Sequence, residues 1–363
     1  MRKFGFEKVS NMPLIPSITN PIGISGLNFL EFAADTPNFL GNIFVSLGFL
    51  KIGKNSSDDI FLYQQNNIRF ILNCSIKSSA HHFFKLHGYS ISAIGFLVDD
   101  ANEAHKKAVE LGAKKYQIAE GDMEIPAIEG VSNSRICFVD CKNGKYSYEN
   151  LFSMNNVCKS DLIGVGLKEI DHLTQNVVCG NMEVRADFYK KIFNFTEIRK
   201  FDIKGKETSL RSIALASPCG KVKIPINESD EESSQINEYI RDYNGEGVQH
   251  IALETDDIYK TVESLRANGV PFFDNTPDVY YERINIRLPY HDENIERLKT
   301  NKILIDGSQK EKSNLLLQIF TKNIIGPIFF EIIQRKGDDG FGEGNFQALF
   351  EAIEEDQKNR GIL

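Results

Sequence analysis

Short runs in which apolar and polar residues alternate recur along the chain in a fixed order, each followed by a stretch of helical periodicity. From Gly26 the run Leu-Asn-Phe-Leu-Glu-Phe reads as a strand. Asp35-Thr-Pro37 then opens a helix predicted over 38–47, Gly48 ends it, and strand-like material continues to Cys74. Residues 90–98 form a further strand, Asp99-Asp100 offers a cap, and a helix over 103–111 stops at Gly112. The same programme returns later: strand 170–178, helix 184–193, strand 247–254, the cap Asp256-Asp257, helix 259–267, and Gly269.

Ala93-Ile-Gly-Phe-Leu-Val-Asp-Asp100 and His250-Ile-Ala-Leu-Glu-Thr-Asp-Asp257 keep one offset through strand, cap and helix end. That constancy implies duplication. The repeated unit is a strand, a helix and several strands, present about four times. Two units make each half, and the halves meet near residues 150–160. Units of this kind bury open, curved sheets, and a curved sheet leaves a cavity in its concavity.

The two halves are not equal. Ala93 stands where the second half has His250, and no histidine lies near Gly26-Leu-Asn-Phe, the counterpart of Asp171-His-Leu. Glu149 is the expected remnant of a third polar position, Glu331. Glu331 interrupts the apolar run from Ile328 to Ile333, which reads as a buried strand. A lone carboxylate there needs a cation, because its desolvation costs several kcal/mol. Arg335 is about 13 Å further along the same strand, too far to pair with it directly. The cation is therefore a Lys or Arg from another element, or a metal.

A structural histidine has no reason to respect the division between the halves, whereas a metal site kept in one copy does. His172, His250 and Glu331 are accordingly the candidate ligands. Two histidines and one carboxylate leave open positions that suit non-haem Fe(II), and Zn(II) with the same set suits hydrolysis. There is no HExxH. Ser212, Asn227, Gln249 and Gln318 also sit in apolar strands and need polar partners. Gln249 precedes His250, and on an ideal strand it faces the other side. The glycine-rich stretch 340–346 reads as a hinge, and Phe346, Leu349, Phe350 and Ile353 form one helical stripe, a core-packing helix or a lid.

Composition narrows the function. The 363 residues suit two domains, and 41% apolar with 25% charged is ordinary for a globular protein. A net charge of −8, without basic clusters, disfavours nucleic acid. No apolar run reaches the ~18–20 residues of a membrane span, and the N-terminus lacks a signal-like apolar stretch. Six scattered cysteines without a CxxC point to reduced thiols and a cytoplasmic protein.

Four stretches carry a resemblance: Asp171-His-Leu-Thr-Gln-Asn-Val177, Gly245-Glu-Gly-Val-Gln-His-Ile-Ala252, Leu315-Leu-Leu-Gln-Ile-Phe320, and the run from Phe330 to Phe346. They resemble the bacterial members of the 4-hydroxyphenylpyruvate dioxygenase family, over nearly the whole chain and most strongly from about residue 165. The resemblance implies an α+β, vicinal-oxygen-chelate fold of βαβββ modules, arranged as two open barrels with a C-terminal helix. It implies a metal-less pair of modules over 1–155, serving structure and oligomerisation, and a catalytic pair over 156–363.

By position, His172, His250 and Glu331 match the family's Fe(II) ligands. Ser212, Asn227, Gln235, Gln249 and Gln318 match the polar substrate pocket, Phe320, Phe329, Phe341 and Phe346 its aromatic walls, and Asn345 lies beside them. Gln249, Gln318 and Phe346 are the expected catalytic side chains. The implied reaction turns 4-hydroxyphenylpyruvate and O2 into homogentisate and CO2 in tyrosine and phenylalanine catabolism. Homo-oligomers, dimeric or tetrameric, are implied as well. Hydroxymandelate synthase shares fold, iron and substrate but tends to carry an aliphatic residue where this chain has Phe346. A zinc-binding or non-enzymatic member of the fold is the remaining alternative.

Overall fold

The computed structural model describes residues 19–55, 59–140, 148–204, 208–307, 314–342, 345, 354, 357–358 and 360–361. The predicted helical stripe from Phe346 to Ile353 lies outside the described residues. Two eight-stranded sheets are built in chain order. The first contains β1 (Ile24–Ala33), β2 (Leu50–Lys54), β3 (Ile60–Gln65), β4 (Ile68–Asn73), β5 (Ser90–Val98), β6 (Ala127–Glu129), β7 (Arg135–Val139) and β8 (Ser153–Met154), in the order β6-β7-β5-β1-β4-β3-β2-β8. The second contains β9 (Leu167–Asn176), β10 (Thr196–Lys204), β11 (Ser209–Ala216), β12 (Lys223–Glu228), β13 (Gly247–Thr255), β14 (Leu304–Gly307), β15 (Leu315–Phe320) and β16 (Phe329–Lys336), in the order β10-β11-β12-β9-β13-β16-β15-β14.

The sheets repeat one plan. An antiparallel central pair, β1 with β5 and β9 with β13, is flanked by parallel neighbours, β4 and β7 in one half and β12 and β16 in the other. Where β14 runs in the second sheet, the first has a single bridge between Lys115 and Ile128. The helices after β5 and β13, Ala101–Glu110 and Ile258–Ala267, are capped by Asp100 and Asp257, whose side chains accept from the first free N–H groups. Both start before the predicted residue, because their capped first turn carries little of the apolar period. Helices Ser79–His87 and Gln235–Tyr243 precede β5 and β13. Each is capped by a serine, Ser78 and Ser234.

The repeat extends to irregularities of register. In the β9–β13 ladder the pairing skips Asp171 and Gln249, and in the β1–β5 ladder it skips Asn28 and Ser92 at the corresponding places. Such bulges turn two successive side chains toward one face. Matching these ladders and the parallel pairs beside them puts Phe29, Ala93 and Cys137 at the positions of His172, His250 and Glu331. The Glu331 counterpart is thus Cys137, and Glu149 lies instead in the short helix Tyr148–Leu151. Sequence order near the junction misled here, whereas strand register decides. The two halves pack through aromatic rings. Phe330, beside Glu331, is fully buried with its centroid 6.2 Å from that of Phe70.

Candidate metal centre and substrate cavity

Ala252 pairs with His172 on one side and with Glu331 on the other, so the three stand in a row across β9, β13 and β16. The small methyl in the middle leaves room between the two polar side chains, and His250 projects from the same face two residues earlier. The result is a triangle. Nε2 of His172 lies 3.3 Å and Nε2 of His250 3.5 Å from Oε2 of Glu331, and the two Nε2 atoms are 3.4 Å apart. All three residues are buried.

The bulges explain why the nitrogens face inward. Asp171 and Gln249 are each turned against the ring of the histidine that follows. Nδ1 of His172 lies 2.7 Å from Oδ1 of Asp171, and Nδ1 of His250 lies 2.9 Å from Oε1 of Gln249. Each Nδ1 then carries the proton and each Nε2 a lone pair. Burial opposes charge on His172, but the carboxylates of Glu331 and Asp171 outweigh it and raise the pKa. Burial drives the pKa of His250 well down, and charge on His172 drives it further.

These residues fit a divalent metal. Three lone-pair atoms of a nitrogen and oxygen donor set converge, and Oε2 of Glu331 is buried without a hydrogen-bond partner among the described residues. Its other oxygen, Oε1, accepts a 2.7 Å hydrogen bond from Nε2 of Gln318.

Beside the triangle lies a cavity lined by Thr174, Phe201, Ile203, Leu210, Ser212, Pro225, Asn227, Gln235, Ile236, Gln249, His250 and Phe329. Six strands and the helix Gln235–Tyr243 wrap it, which requires the sheet to curve. Of the residues expected in a pocket, Ser212, Asn227, Gln235, Gln249 and Phe329 are on its wall. Phe329 stacks on His250 at 4.8 Å, and Phe320 meets Phe329 edge-on from behind. Phe341 covers His172 edge-on at 5.4 Å. Gln318 and Asn345 are off the wall, behind Glu331, with Nδ2 of Asn345 donating to Oε1 of Gln318 at 2.9 Å. Phe346 lies outside the described residues. Ile236, next to Gln235, was missed, and so were Thr174, Phe201, Ile203, Leu210 and Pro225. Each of the last five is two positions from another wall or site residue, so the period of 2 in their strands was the available signal.

In the first half the same layer is filled by protein. Arg135, at the place of Phe329, lies 2.5 Å from Glu31 and 3.4 Å from Asp122, and Ser92 donates to Glu31 at 2.7 Å. There the buried carboxylate has an arginine for its cation.

Residues 18–155 match the family model described as hydroxyphenylpyruvate dioxygenase, N-terminal, and residues 169–294 match that of the glyoxalase/bleomycin resistance protein/dioxygenase superfamily. A 4-hydroxyphenylpyruvate dioxygenase of Legionella pneumophila is 51% identical over 95% of this chain and 98% of its own. The chain belongs to the 4-hydroxyphenylpyruvate dioxygenase family. A Vibrio vulnificus relative that carries the name hemolysin VllY is 49% identical over the same shares. Among solved structures, a fusion of a xylose isomerase-like TIM barrel with a 4-hydroxyphenylpyruvate dioxygenase superposes with a TM-score of 0.78 at 30% identity, covering 93% of this chain and 54% of the other. The fold is that of the vicinal-oxygen-chelate superfamily, and the chain is an enzyme of this dioxygenase family.

Proposed function

We propose that the chain binds Fe(II) through His172, His250 and Glu331 and converts 4-hydroxyphenylpyruvate and O2 to homogentisate and CO2, in tyrosine and phenylalanine catabolism. The observation that carries this reading is the triangle's position on a cavity without a lysine, arginine or carboxylate among its described lining residues. A 2-oxo acid entering such a cavity brings a carboxylate that needs a positive partner, and no described lining residue is a lysine or arginine, whereas a metal at the triangle would supply one.

When bound, the metal supplies a Lewis-acidic, redox-active centre at which a 2-oxo acid and O2 can meet. The remaining work falls to the side chains. Phe201 and Phe329 give the cavity aromatic walls for an aromatic substrate, and Phe341 covers His172 against water. Ser212, Asn227, Gln235 and Gln249 offer hydroxyl and amide groups to a phenol and to the oxo acid, holding the ring in one pose. Gln318 acts on Glu331, and Phe346 is proposed to press on the substrate and favour attack on its ring.

The chain is further proposed to work in the cytoplasm as a homo-dimer or tetramer, scaffolded by its first half. No helix among the described residues is long and apolar enough to cross a membrane. The test is O2 uptake by the full chain with Fe(II) or Zn(II), with the product identified. Homogentisate formed with Fe(II) alone is expected. 4-Hydroxymandelate assigns the sibling reaction, and absence of iron-dependent O2 uptake overturns the proposal.

A further inference from the structure

Behind Glu331 runs a chain of hydrogen bonds whose direction is forced. Arg287 has only donors, and its guanidinium donates to the hydroxyl of Tyr280 at 2.9 Å. The same hydroxyl accepts from the backbone N–H of Ile305, also at 2.9 Å. Its single proton has two acceptors in reach, Oδ1 of Asn345 at 2.9 Å and the carbonyl of Ile305 at 3.0 Å, which also accepts from Arg287. The other end of the chain decides between them: the carboxylate of Glu331 and the carbonyl of Phe341 only accept, so Gln318 must present Nε2 to both and Oε1 to Asn345.

Asn345 must then turn Nδ2 toward Oε1 of Gln318 and Oδ1 toward Tyr280, whose hydroxyl donates to it. Nε2 of Gln318 also donates to the carbonyl of Phe341 at 3.0 Å. The order Arg287, Tyr280, Asn345, Gln318, Glu331 thus has one consistent set of proton positions. It occupies Oε1 of Glu331 and leaves Oε2 to face the histidines. Gly342 confirms how tightly the joint is built: at φ +74°, a Cβ there would lie 2.1 Å from Oε1 of Gln318.

We propose that Tyr280 and Arg287 are positioning residues for the metal centre. Through Asn345 and Gln318 they make Glu331 a ligand through one oxygen, and the same bonds seat the chain at Phe341 and Asn345. Metal binding and the seating of Phe341 and Asn345 therefore strengthen each other, since both draw on one amide of Gln318. This inference rests on reading His172, His250 and Glu331 as a metal site.

The experiment is a titration of the full chain with Co(II), followed by the visible absorption of the bound ion. The proteins compared are wild type, Tyr280→Phe, Asn345→Asp and Glu331→Ala. Asn345→Asp keeps the shape but cannot donate to Gln318, so either orientation of the amide sets oxygen against oxygen, at position 345 or at Glu331. Weakening of Co(II) binding by about 10- to 100-fold in Asn345→Asp, and by about tenfold in Tyr280→Phe, is expected, both with an altered absorption band. Wild-type affinity and an unshifted band in both variants overturn the relay, whatever happens to their stability. Failure of the wild type to bind Co(II) in a manner lost in Glu331→Ala overturns the metal reading and the relay with it.

Discussion

Arg335 donates to both carboxylate oxygens of Asp171, at 2.6 Å from Nε and 2.8 Å from its terminal nitrogen, while Asp171 holds Nδ1 of His172. The guanidinium also donates to the carbonyls of Asp338 and Gly340, so one side chain braces a ligand and the loop leading to Phe341. Arg335, too distant to neutralise Glu331 along β16, acts on the site from the other side of His172. Arg335→Ala leaves a buried aspartate held by Nδ1 of His172 at 2.7 Å, with Lys223 at 3.8 Å as the nearest remaining lysine or arginine among the described residues. A loss of about 3–5 kcal/mol in unfolding free energy is expected in urea titrations. A loss below about 1 kcal/mol contradicts a braced pair.

The same pair sets an acid limit. Burial works against the charge on Asp171, but Arg335 and His172 outweigh it and hold its carboxyl well below the ordinary range. A carboxylate with a depressed folded pKa contributes stability that is fully present above its unfolded pKa of about 3.9 and is lost as pH falls through the folded value. The stability gap between wild type and Asp171→Asn should close progressively below about pH 4, while from pH 7 to about pH 5 it widens as His172, whose pKa Asp171 helps to raise, takes up its proton. A gap that widens below about pH 4 would have the wrong sign.

In the first half, Glu31 and Arg135 form a buried pair remote from the triangle in sequence and sheet. Arg135→Met strands Glu31 and should cost about 3–5 kcal/mol. Metal affinity of the folded variant, measured calorimetrically, should equal that of the wild type. Metal loss beyond what unfolding explains would mean that this cluster reaches the site.

Gln249 has two tasks, one on the cavity wall and one at Nδ1 of His250. Gln249→Leu removes the acceptor that fixes the ring. A weakening of metal binding by about 10- to 100-fold is expected without substrate present. If only the Michaelis constant moves, the contact to His250 has no role in orienting the ligand.

Glu331 was legible because a carboxylate in an apolar strand is conspicuous by itself, and the histidines were legible because the repeat showed where they were missing. The bulges were not, since a skipped residue exists only in the register of two strands. They also answer why Gln249 and His250, adjacent in the chain, share one face. Gln318 and Asn345 were expected against substrate, but which polar group a buried amide meets depends on strands and loops far apart in sequence. Tyr280 and Arg287 sit in a region of short helices with no periodic signal. The Cys137 position was hidden for the opposite reason: an apolar residue in an apolar strand attracts no notice.

The matching bulges at Asn28 and Ser92 give the molecule its own reference. Backbone irregularity was retained in the sheet where Phe29, Ala93 and Cys137 replaced the ligand types, so it does not depend on those side chains. In an amide-exchange experiment, β1 and β5 therefore report what this strand geometry protects unaided. Any slowing that appears on adding metal to β9 and β13, and not to their twins, measures the ion's contribution within a single sample.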